Sequence, residues 1–250
     1  MPVNKTAIAA AFGRAASHYD QFAGLQRHCG MALLAQVQDL RPDTVLDAGC
    51  GTGWFSRLWR QRHARVLALD LSREMLDTAA AQDSADQYLC GDIEQIPLGE
   101  NQVDLVWSNL AVQWCSTLSR AVDELCRVTR PGGHVAFTTL LDGALPELHQ
   151  AWAQVDARRH GNQFLPREQV IAACGARRLT WHEETVTLRF PDVMSAMRTL
   201  KGIGATHLHD GRPAATLTRG QLNALSLAWP REGGEYLLSY TLFYGVICCE

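Results

Sequence analysis

A glycine-rich loop stands between a predicted strand and a predicted helix, at residues 46–53 with the sequence LDAGCGTG. Glycine lets the backbone turn tightly and approach a ligand closely, and a helix that begins here offers free N–H groups to an anion. The spacing is G-x-G-x-G, whereas a dinucleotide site needs G-x-G-x-x-G, and the bulky Trp54 occupies the sixth position. The phosphate-binding lysine of a P-loop is also missing. The loop therefore predicts a ligand-binding turn and disfavours a dinucleotide oxidoreductase.

Polar side chains stand at the ends of the next predicted strands. Asp70 ends the second strand, where a carboxylate can accept hydrogen bonds from both ribose hydroxyls of a nucleoside. Asp92 follows the third strand and can accept from an adenine amino group, and Asn109 ends the fourth. Open α/β sheets bind ligands at the carboxyl ends of their strands. Each acidic residue alone could equally cap a helix, but together and in this order they predict a nucleoside-binding edge.

The elements that must position these residues alternate between strands and helices. Short aliphatic runs predict strands, and stretches with helical periodicity separate them, so a parallel sheet covered on both faces is expected. Ser72 is a predicted N-cap, and the Pro-Gly-Gly of residues 131–133 is expected to end a helix and start the next strand. The predicted strands are 44–47, 65–70, 87–90, 103–107, 134–138, 184–190 and 236–248. The predicted helices are 5–20, 55–61, 72–81, 118–128, 145–157, 166–174, 191–203 and 218–228.

Composition excludes several classes of function. With 23 Lys+Arg against 26 Asp+Glu, the net charge of −3 argues against a nucleic-acid binder, which needs a basic surface. The eight cysteines include no C-x-x-C pair, so neither a zinc site nor a disulfide framework is expected, and no metal is predicted. No apolar run approaches the ~20 residues that span a bilayer. A cytoplasmic protein without a membrane or nucleic-acid partner is expected.

Three further strings extend these features into a resemblance to a known family. The loop, Asp70 and Asp92 resemble the class I S-adenosylmethionine-dependent methyltransferases. Beyond them, AFGRAASHY at residues 11–19, WSNLAVQWC at 107–115 and LKGIGATH at 200–207 are similar to the malonyl-acyl-carrier-protein O-methyltransferases of biotin synthesis. The first string is shared loosely with quinone C-methyltransferases, whereas the other two are more specific. The resemblance covers nearly the whole chain.

The resemblance implies a Rossmann-like α/β fold with a seven-stranded, mostly parallel sheet whose last strand is antiparallel. It also implies an N-terminal helical lid and a helical insertion before the last strand. We expect one structural domain with three parts: a helical arm over residues 1–40, a cofactor-binding α/β half over 41–140, and a part over 141–250 that completes the sheet. A helical cap for substrate or partner is expected at 191–230.

The implied cofactor is S-adenosylmethionine, which leaves as S-adenosylhomocysteine. The loop is expected to pack against its methionine portion, with Asp47 near the ammonium group and Asn109 holding that group from the other side through its carbonyl or its side chain. Leu71 and Ile93 are expected to flank the adenine. The predicted cofactor-binding residues are Asp47, Gly49, Cys50, Gly51, Asp70, Leu71, Asp92, Ile93 and Asn109.

The implied reaction methylates the free carboxylate of a malonyl thioester. That carboxylate is ionised at neutral pH, so no general base and no dedicated catalytic residue are predicted; orientation and exclusion of water are expected to provide the rate. Tyr19 is expected to cover the transfer region, and Gln113 and Trp114 to line the pocket and position the acceptor. Arg14, Arg198, Lys201 and His207 are the predicted cations for the acceptor carboxylate.

The implied partner is an acyl-carrier protein that carries the malonyl group, and malonyl-coenzyme A is an alternative substrate. Because such a carrier is acidic, a basic docking patch is expected; the visible clusters are 158–160, 177–178 and 198–201. The sequence leaves open the docking site, the carboxylate-binding cation and the oligomeric state. Two alternatives also stay open: a methyltransferase for another small acid or a quinone, and an S-adenosylmethionine-binding protein without turnover.

Overall fold

The computed structural model describes residues 3–156, 158, 160–203 and 218–250. Strands and helices alternate through the middle of the chain, as the sequence predicts. The strands are β1 (Thr44–Ala48), β2 (Arg65–Asp70), β3 (Gln87–Cys90), β4 (Val103–Asn109), β5 (Thr129–Leu140), β6 (Arg178–Phe190), β7 (Arg231–Glu232) and β8 (Glu235–Cys248). The helices are α1 (Lys5–Ala15), α2 (Tyr19–Phe22), α3 (Gly24–Gln36), α4 (Trp54–Gln61), α5 (Arg73–Ala81), α6 (Leu118–Val128), α7 (Pro146–Ala153), α8 (Arg167–Ala173), α9 (Val193–Gly202) and α10 (Arg219–Ala228).

One sheet runs through the molecule in the order β3-β2-β1-β4-β5-β8-β6. Neighbours from β3 to β5 pair in parallel, and β8 is antiparallel to both β5 and β6, so the expected seven strands with an antiparallel last strand are confirmed. The two-residue β7, which pairs only with β8, was not predicted. Strand order reverses direction at β1, between β2 and β4. In open α/β sheets such a switch point creates a crevice at the carboxyl ends of the strands.

Three predicted boundaries are wrong. The Pro-Gly-Gly of residues 131–133 lies within β5, because the Gly132 N–H donates to the Cys249 carbonyl and the Cys249 N–H donates to the Gly133 carbonyl. Strand β6 begins at Arg178 rather than at 184, since it pairs with β8 along its whole length. The predicted N-terminal helix of residues 5–20 instead ends at Ala15 and is followed by the separate helices α2 and α3.

Both faces of the sheet are covered by helices. On one face, the fully buried Trp59 and Trp107 meet edge to face with ring centroids 5.5 Å apart, and Phe55 packs beside them. On the other face, Phe137 and Phe243 stack beneath the apolar side of α6. Burial of this kind contributes about 25 cal/mol per Å² of apolar surface. The sheet is therefore a rigid support for the loops at its carboxyl edge.

The packing of α3 on α4 yields a test of this architecture. Gly30 is buried, and a Cβ at this position would overlap the Phe55 ring, so Gly30→Ala is expected to lower the free energy of unfolding by about 1–3 kcal/mol. The matched control is Gly24→Ala in the same helix, where a Cβ meets nothing within 4 Å. Urea unfolding at equilibrium measures both variants, and equal stabilities of the two would contradict the described packing.

Candidate functional site

The glycine loop connects β1 to α4 in a conformation that glycine favours. Gly49 (φ +83°) and Gly51 (φ +55°) are left-handed, and the Gly49 N–H donates to the Leu69 carbonyl at 2.7 Å. A Cβ on Gly49 would overlap the Ala111 side chain, so this glycine permits close contact with the segment after β4. A Cβ on Gly51 would meet nothing nearer than Tyr19, at 4.0 Å. The loop therefore borders an open cleft at Gly51.

Two carboxylates, the buried Asp47 and the half-buried Asp70, flank the loop. Asp47 is 2% exposed and accepts a hydrogen bond from the Ser56 hydroxyl at 2.6 Å, and burial raises its pKa to about 7. Asp70 accepts from the backbone N–H groups of Gly51 at 2.9 Å and Ser72 at 2.8 Å, and burial raises its pKa despite these bonds. The nearby Asp70 carboxylate also raises the pKa of Asp47. A cationic ligand in the cleft would stabilise the ionised form of both carboxylates.

The structure brings all nine predicted cofactor-binding residues to the same cleft. Two cavities of about 90 and 40 Å³ lie side by side along the loop, and Tyr19, Gly49, Gly51 and Asn109 line both. The larger is also lined by Asp70, Leu71, Asp92 and Ile93, and the smaller by Asp47 and Cys50. The burial of Cys50 beside two carboxylates raises its thiol pKa well above the ordinary value. Cys50 therefore remains a thiol and does not act as a nucleophile.

An ion pair missed by the sequence reasoning closes one end of the cleft. The Lys5 ammonium lies 3.0 Å from Asp92 Oδ1 and 2.7 Å from Glu94 Oε2, and Lys5 lines the larger cavity. Asp92 Oδ1 also accepts from the Glu94 N–H, which leaves Oδ2 for an amino group of a ligand. No spacing in the sequence links Lys5 to Asp92. The only available signal was that Lys5 is one of two lysines in the chain.

The other end of the cleft contains polar atoms without partners. Asn109 donates to the Gln26 carbonyl and accepts from the Thr138 hydroxyl, both at 2.8 Å, so both ends of its side-chain amide are occupied. Within the described part of the chain, Gln26 Oε1 and Arg27 Nε are buried and lack hydrogen-bond partners. Both residues line the smaller cavity. Buried polar groups are normally satisfied, so these two indicate a polar ligand.

A separate cavity of about 430 Å³ adjoins the cleft and brings together most of the predicted acceptor-binding residues. Gln113 donates to the Leu110 carbonyl at 2.8 Å, while its Oε1 is buried without a partner among the described residues. Leu110 has φ +50°, a strained conformation for a residue with a Cβ, and lines both this cavity and the cleft. The predicted residues on its wall are Tyr19, Gln113, Trp114, Arg198 and Lys201.

Tyr19 lies at the junction of all three cavities. Burial, together with the nearby Asp70 and Asp20, raises the pKa of its hydroxyl, so the ring stays neutral near pH 7 and can donate a hydrogen bond. Next to it, Phe12 and Trp114 meet edge to face with centroids 5.3 Å apart, and both line the cleft and the large cavity. The arrangement can align two ligands end to end in an environment that excludes water.

Four predicted cations do not follow this pattern or lie outside the described residues. Arg14 lies on the exposed side of α1 and is absent from the residues that line the three cavities. His207 lies outside the described residues. His160, predicted as part of a surface cluster, instead lines the large cavity, which the sequence reasoning missed. In the cluster 177–178, Arg177 is paired with Asp123 at 2.8 Å.

Two kinds of site are missing from the described ranges. In residues 3–156, 158, 160–203 and 218–250, no group of three or more His, Cys, Asp and Glu side chains is arranged to hold a metal ion. In the same ranges, no helix has the length and apolar character needed to cross a membrane.

Comparisons with known proteins agree with this geometry. Residues 46–137 match the family model described as a methyltransferase domain. A malonyl-[acyl-carrier protein] O-methyltransferase of Pseudescherichia vulneris is 57% identical, and the match covers 98% of each chain. The protein of the same name from Salmonella typhimurium is 56% identical, again over 98% of each chain. A putative methyltransferase structure from Bacillus halodurans superposes with a TM-score of 0.62 at 18% identity, covering 88% of this chain and 99% of that one, which confirms the predicted class I methyltransferase fold.

The raised pKa of Asp47 predicts a stability that depends on pH. As the pH rises from about 4 to about 7, the unfolded chain loses this proton before the native state does. The native state should therefore lose stability relative to an Asp47→Asn variant, by at most about 1.4 kcal/mol per pH unit. Urea unfolding at pH 5, 6 and 7 measures this difference, with the exposed Asp39→Asn as control. Parallel stability profiles for wild type and Asp47→Asn would contradict the prediction.

Proposed function

The chain belongs to the malonyl-[acyl-carrier protein] O-methyltransferase family, and on this basis we propose that it methylates the free carboxylate of a malonyl thioester, with S-adenosylmethionine as methyl donor. The product is a methyl ester, whose neutral end lets fatty-acid enzymes elongate the chain towards a pimeloyl thioester for biotin synthesis. The observation that carries the proposal is the junction at Tyr19, where a cavity with two cationic residues meets a cleft built for a nucleoside.

The cleft has the features that S-adenosylmethionine requires. Asp70 offers carboxylate oxygens at the position expected for ribose hydroxyls, and Asp92 Oδ2 is available for the adenine amino group. Asp47 and the Asn109 carbonyl are placed to receive the ammonium group, and Arg27, with its unpartnered Nε, is placed to receive the carboxylate. When bound, the cofactor supplies an electrophilic methyl group on a sulfonium centre.

The acceptor cavity supplies binding and orientation rather than a base. A malonyl carboxylate is already ionised at pH 7, so no base is needed. Tyr19 and Cys50 keep their protons and therefore cannot act as bases. Arg198 and Lys201 lie on α9 and line the cavity with exposed side chains, where a cation can form a charge-assisted hydrogen bond with a carboxylate. Gln113 and Trp114 line the same cavity, and Trp114 also lines the cleft.

The N-terminal helices provide the cover. Lys5 attaches the start of α1 to Asp92 and Glu94, and Arg27 of α3 donates to the Asp20 carbonyl at 2.7 Å, which holds Tyr19 over the loop. Stripping water from the acceptor carboxylate costs free energy. A closed cover keeps water from returning, so the carboxylate stays desolvated during methyl transfer. We assign α1 and α2 the role of a lid on this basis.

The expected partner is an acyl-carrier protein that delivers the malonyl group on its phosphopantetheine arm. Malonyl-coenzyme A carries the same arm and is the alternative substrate. All eight cysteines are free thiols, as a reducing compartment favours, which is consistent with a cytoplasmic location.

Mass spectrometry of the acceptor tests the proposed reaction. Malonyl-acyl-carrier protein incubated with the enzyme and S-adenosylmethionine is expected to gain one methyl group, which an esterase removes because it is an ester. Succinyl thioester and a quinone serve as competing acceptors. Methylation of a competitor alone would refute the proposed acceptor, and binding of the cofactor without any methyl transfer would refute enzymatic function.

The cations of the acceptor cavity provide the matching variants. Arg198→Ala or Lys201→Ala is expected to lower kcat/KM for the malonyl thioester by more than about tenfold, the value of a strong charge-assisted hydrogen bond. The control is Arg65→Ala at the exposed start of β2, outside the predicted docking clusters. Unchanged kinetics for both α9 variants would remove them from the acceptor site.

Gly51 gives a test of cofactor binding that is separate from folding. Gly51 and Gly132 both have positive φ, and a Cβ on Gly132 meets nothing within 4 Å. Each change to Ala is expected to cost about 1–2 kcal/mol of stability through backbone strain. Only Gly51→Ala should also weaken binding of S-adenosylmethionine, by more than about tenfold, because its methyl group enters the cleft. Calorimetric titration measures the affinities, and equal affinities of the two variants would contradict the site.

A further inference from the structure

A histidine–aspartate pair lies on the wall of the acceptor cavity. His160 Nε2 lies 2.8 Å from Asp156 Oδ1, and the imidazole stacks on the buried Trp152 at a centroid distance of 3.4 Å with 6° between the planes. Only 14% of the His160 side chain is exposed, and His160 lines the cavity together with Arg198 and Lys201. The imidazole is thus held by the contact of Nε2 with Asp156 and by the stacking of one ring face on Trp152.

The second ring nitrogen is the one available to a ligand. Asp156 Oδ1 also accepts the Arg158 N–H at 2.9 Å, which fixes the carboxylate, and these hydrogen bonds hold the Asp156 pKa below its ordinary value. Asp156 is therefore an acceptor, so Nε2 of His160 must carry a hydrogen. Among the described residues, none forms a hydrogen bond with Nδ1. Nδ1 carries a lone pair when the ring is neutral, and it carries an N–H bond that can donate when the ring is protonated.

We propose that His160 binds the acceptor carboxylate through Nδ1 and takes up a proton from solvent when it does so. The inference rests on the proposed function, because it concerns the acceptor in that cavity. A carboxylate cannot receive a hydrogen bond from a lone pair, so binding at Nδ1 requires the N–H bond of the imidazolium. The proton comes from the buffer, and the cavity then contains one more positive charge to match the carboxylate.

The charges around the ring make this proton uptake depend on the acceptor. Asp156 lies on one side of the ring, and Arg198 and Lys201 line the same cavity from α9. The other titratable groups nearby are His149 of α7, whose ring lies close to Gly161, and Tyr19 and Tyr240, which line the same cavity. An anion bound in the cavity offsets the repulsion between the two α9 cations and a protonated imidazole. Acceptor binding and protonation therefore favour each other.

Calorimetry in two buffers measures the proton directly. Malonyl-coenzyme A is titrated into the enzyme saturated with S-adenosylhomocysteine, which prevents methyl transfer, at pH 7.5 in phosphate and in Tris. Wild type is expected to take up a fraction of a proton per acceptor bound. The observed heats should therefore differ between buffers of different ionisation enthalpy, and affinity should fall as the pH rises.

The decisive variant is His160→Asn, whose amide nitrogen lies near the position of Nδ1 but does not titrate. It is expected to abolish the proton uptake and to weaken malonyl-coenzyme A binding by about tenfold. His63→Asn, at an exposed turn with positive φ that asparagine tolerates, is the matched control. Acetyl-coenzyme A lacks the carboxylate, so its binding should release or take up no proton in either protein.

The outcomes separate this inference from the proposed function. If wild type methylates the malonyl thioester but shows the same proton uptake as His160→Asn, the role of His160 is wrong and the proposed function stands. Equal loss of affinity for malonyl- and acetyl-coenzyme A in His160→Asn would indicate a purely structural role and would also overturn the inference. If the acceptor affinity is too low for calorimetry, kcat/KM against pH decides: wild type declines from pH 6.5 to 8.5 relative to His160→Asn.

Discussion

The partial withdrawal of two carboxylates from water near adjacent strand ends is the constraint from which the rest of the site follows. Asp47 lies one residue before the end of β1 and is buried, and Asp70 ends β2 and is half-buried beside the glycine loop. Such burial is unfavourable in the free protein and becomes favourable only when polar groups or a cation neutralise it. The Gly51 N–H of the loop partly neutralises the Asp70 carboxylate by donating a hydrogen bond to it. The protein thus retains an electrostatic strain that a cationic ligand removes.

The same logic extends to the acceptor cavity, with the signs reversed. Arg198 and Lys201 lie there beside apolar walls, and His160 stands opposite an aspartate. One compartment favours a cation and the adjoining one an anion, and a methyl transfer from a sulfonium to a carboxylate joins these two charges. Neutralisation of both in the product removes the attraction that held the substrates. We propose that this environment, rather than a proton-transferring residue, supplies the catalytic effect.

How much the sequence could reveal depended on whether a residue's role was local. Asp70, Asp92 and Asn109 were predictable because Asp70 and Asn109 end strands and Asp92 follows one, and strand order at a switch point brings such positions together. Lys5, Arg27 and His160 were missed because they reach the site from segments far along the chain, through packing that no spacing records. Strand β6 was shortened because an edge strand with half-exposed side chains has a weak apolar alternation. Pro-Gly-Gly misled in β5, where tertiary pairing with Cys249 overrides the local tendency to break a strand.

The position of Tyr19 has a consequence for how the two ligands affect each other. Its ring is part of the boundary of both the cleft and the acceptor cavity, so any ligand that fixes the ring in one compartment also shapes the other. Thermodynamic linkage requires that such an influence be equal in both directions. A first ligand that orders Tyr19 spares the second that entropic cost, which makes the pair cooperative without any movement of the sheet. The affinity of the enzyme for the two ligands together therefore depends on the ordering of the Tyr19 side chain.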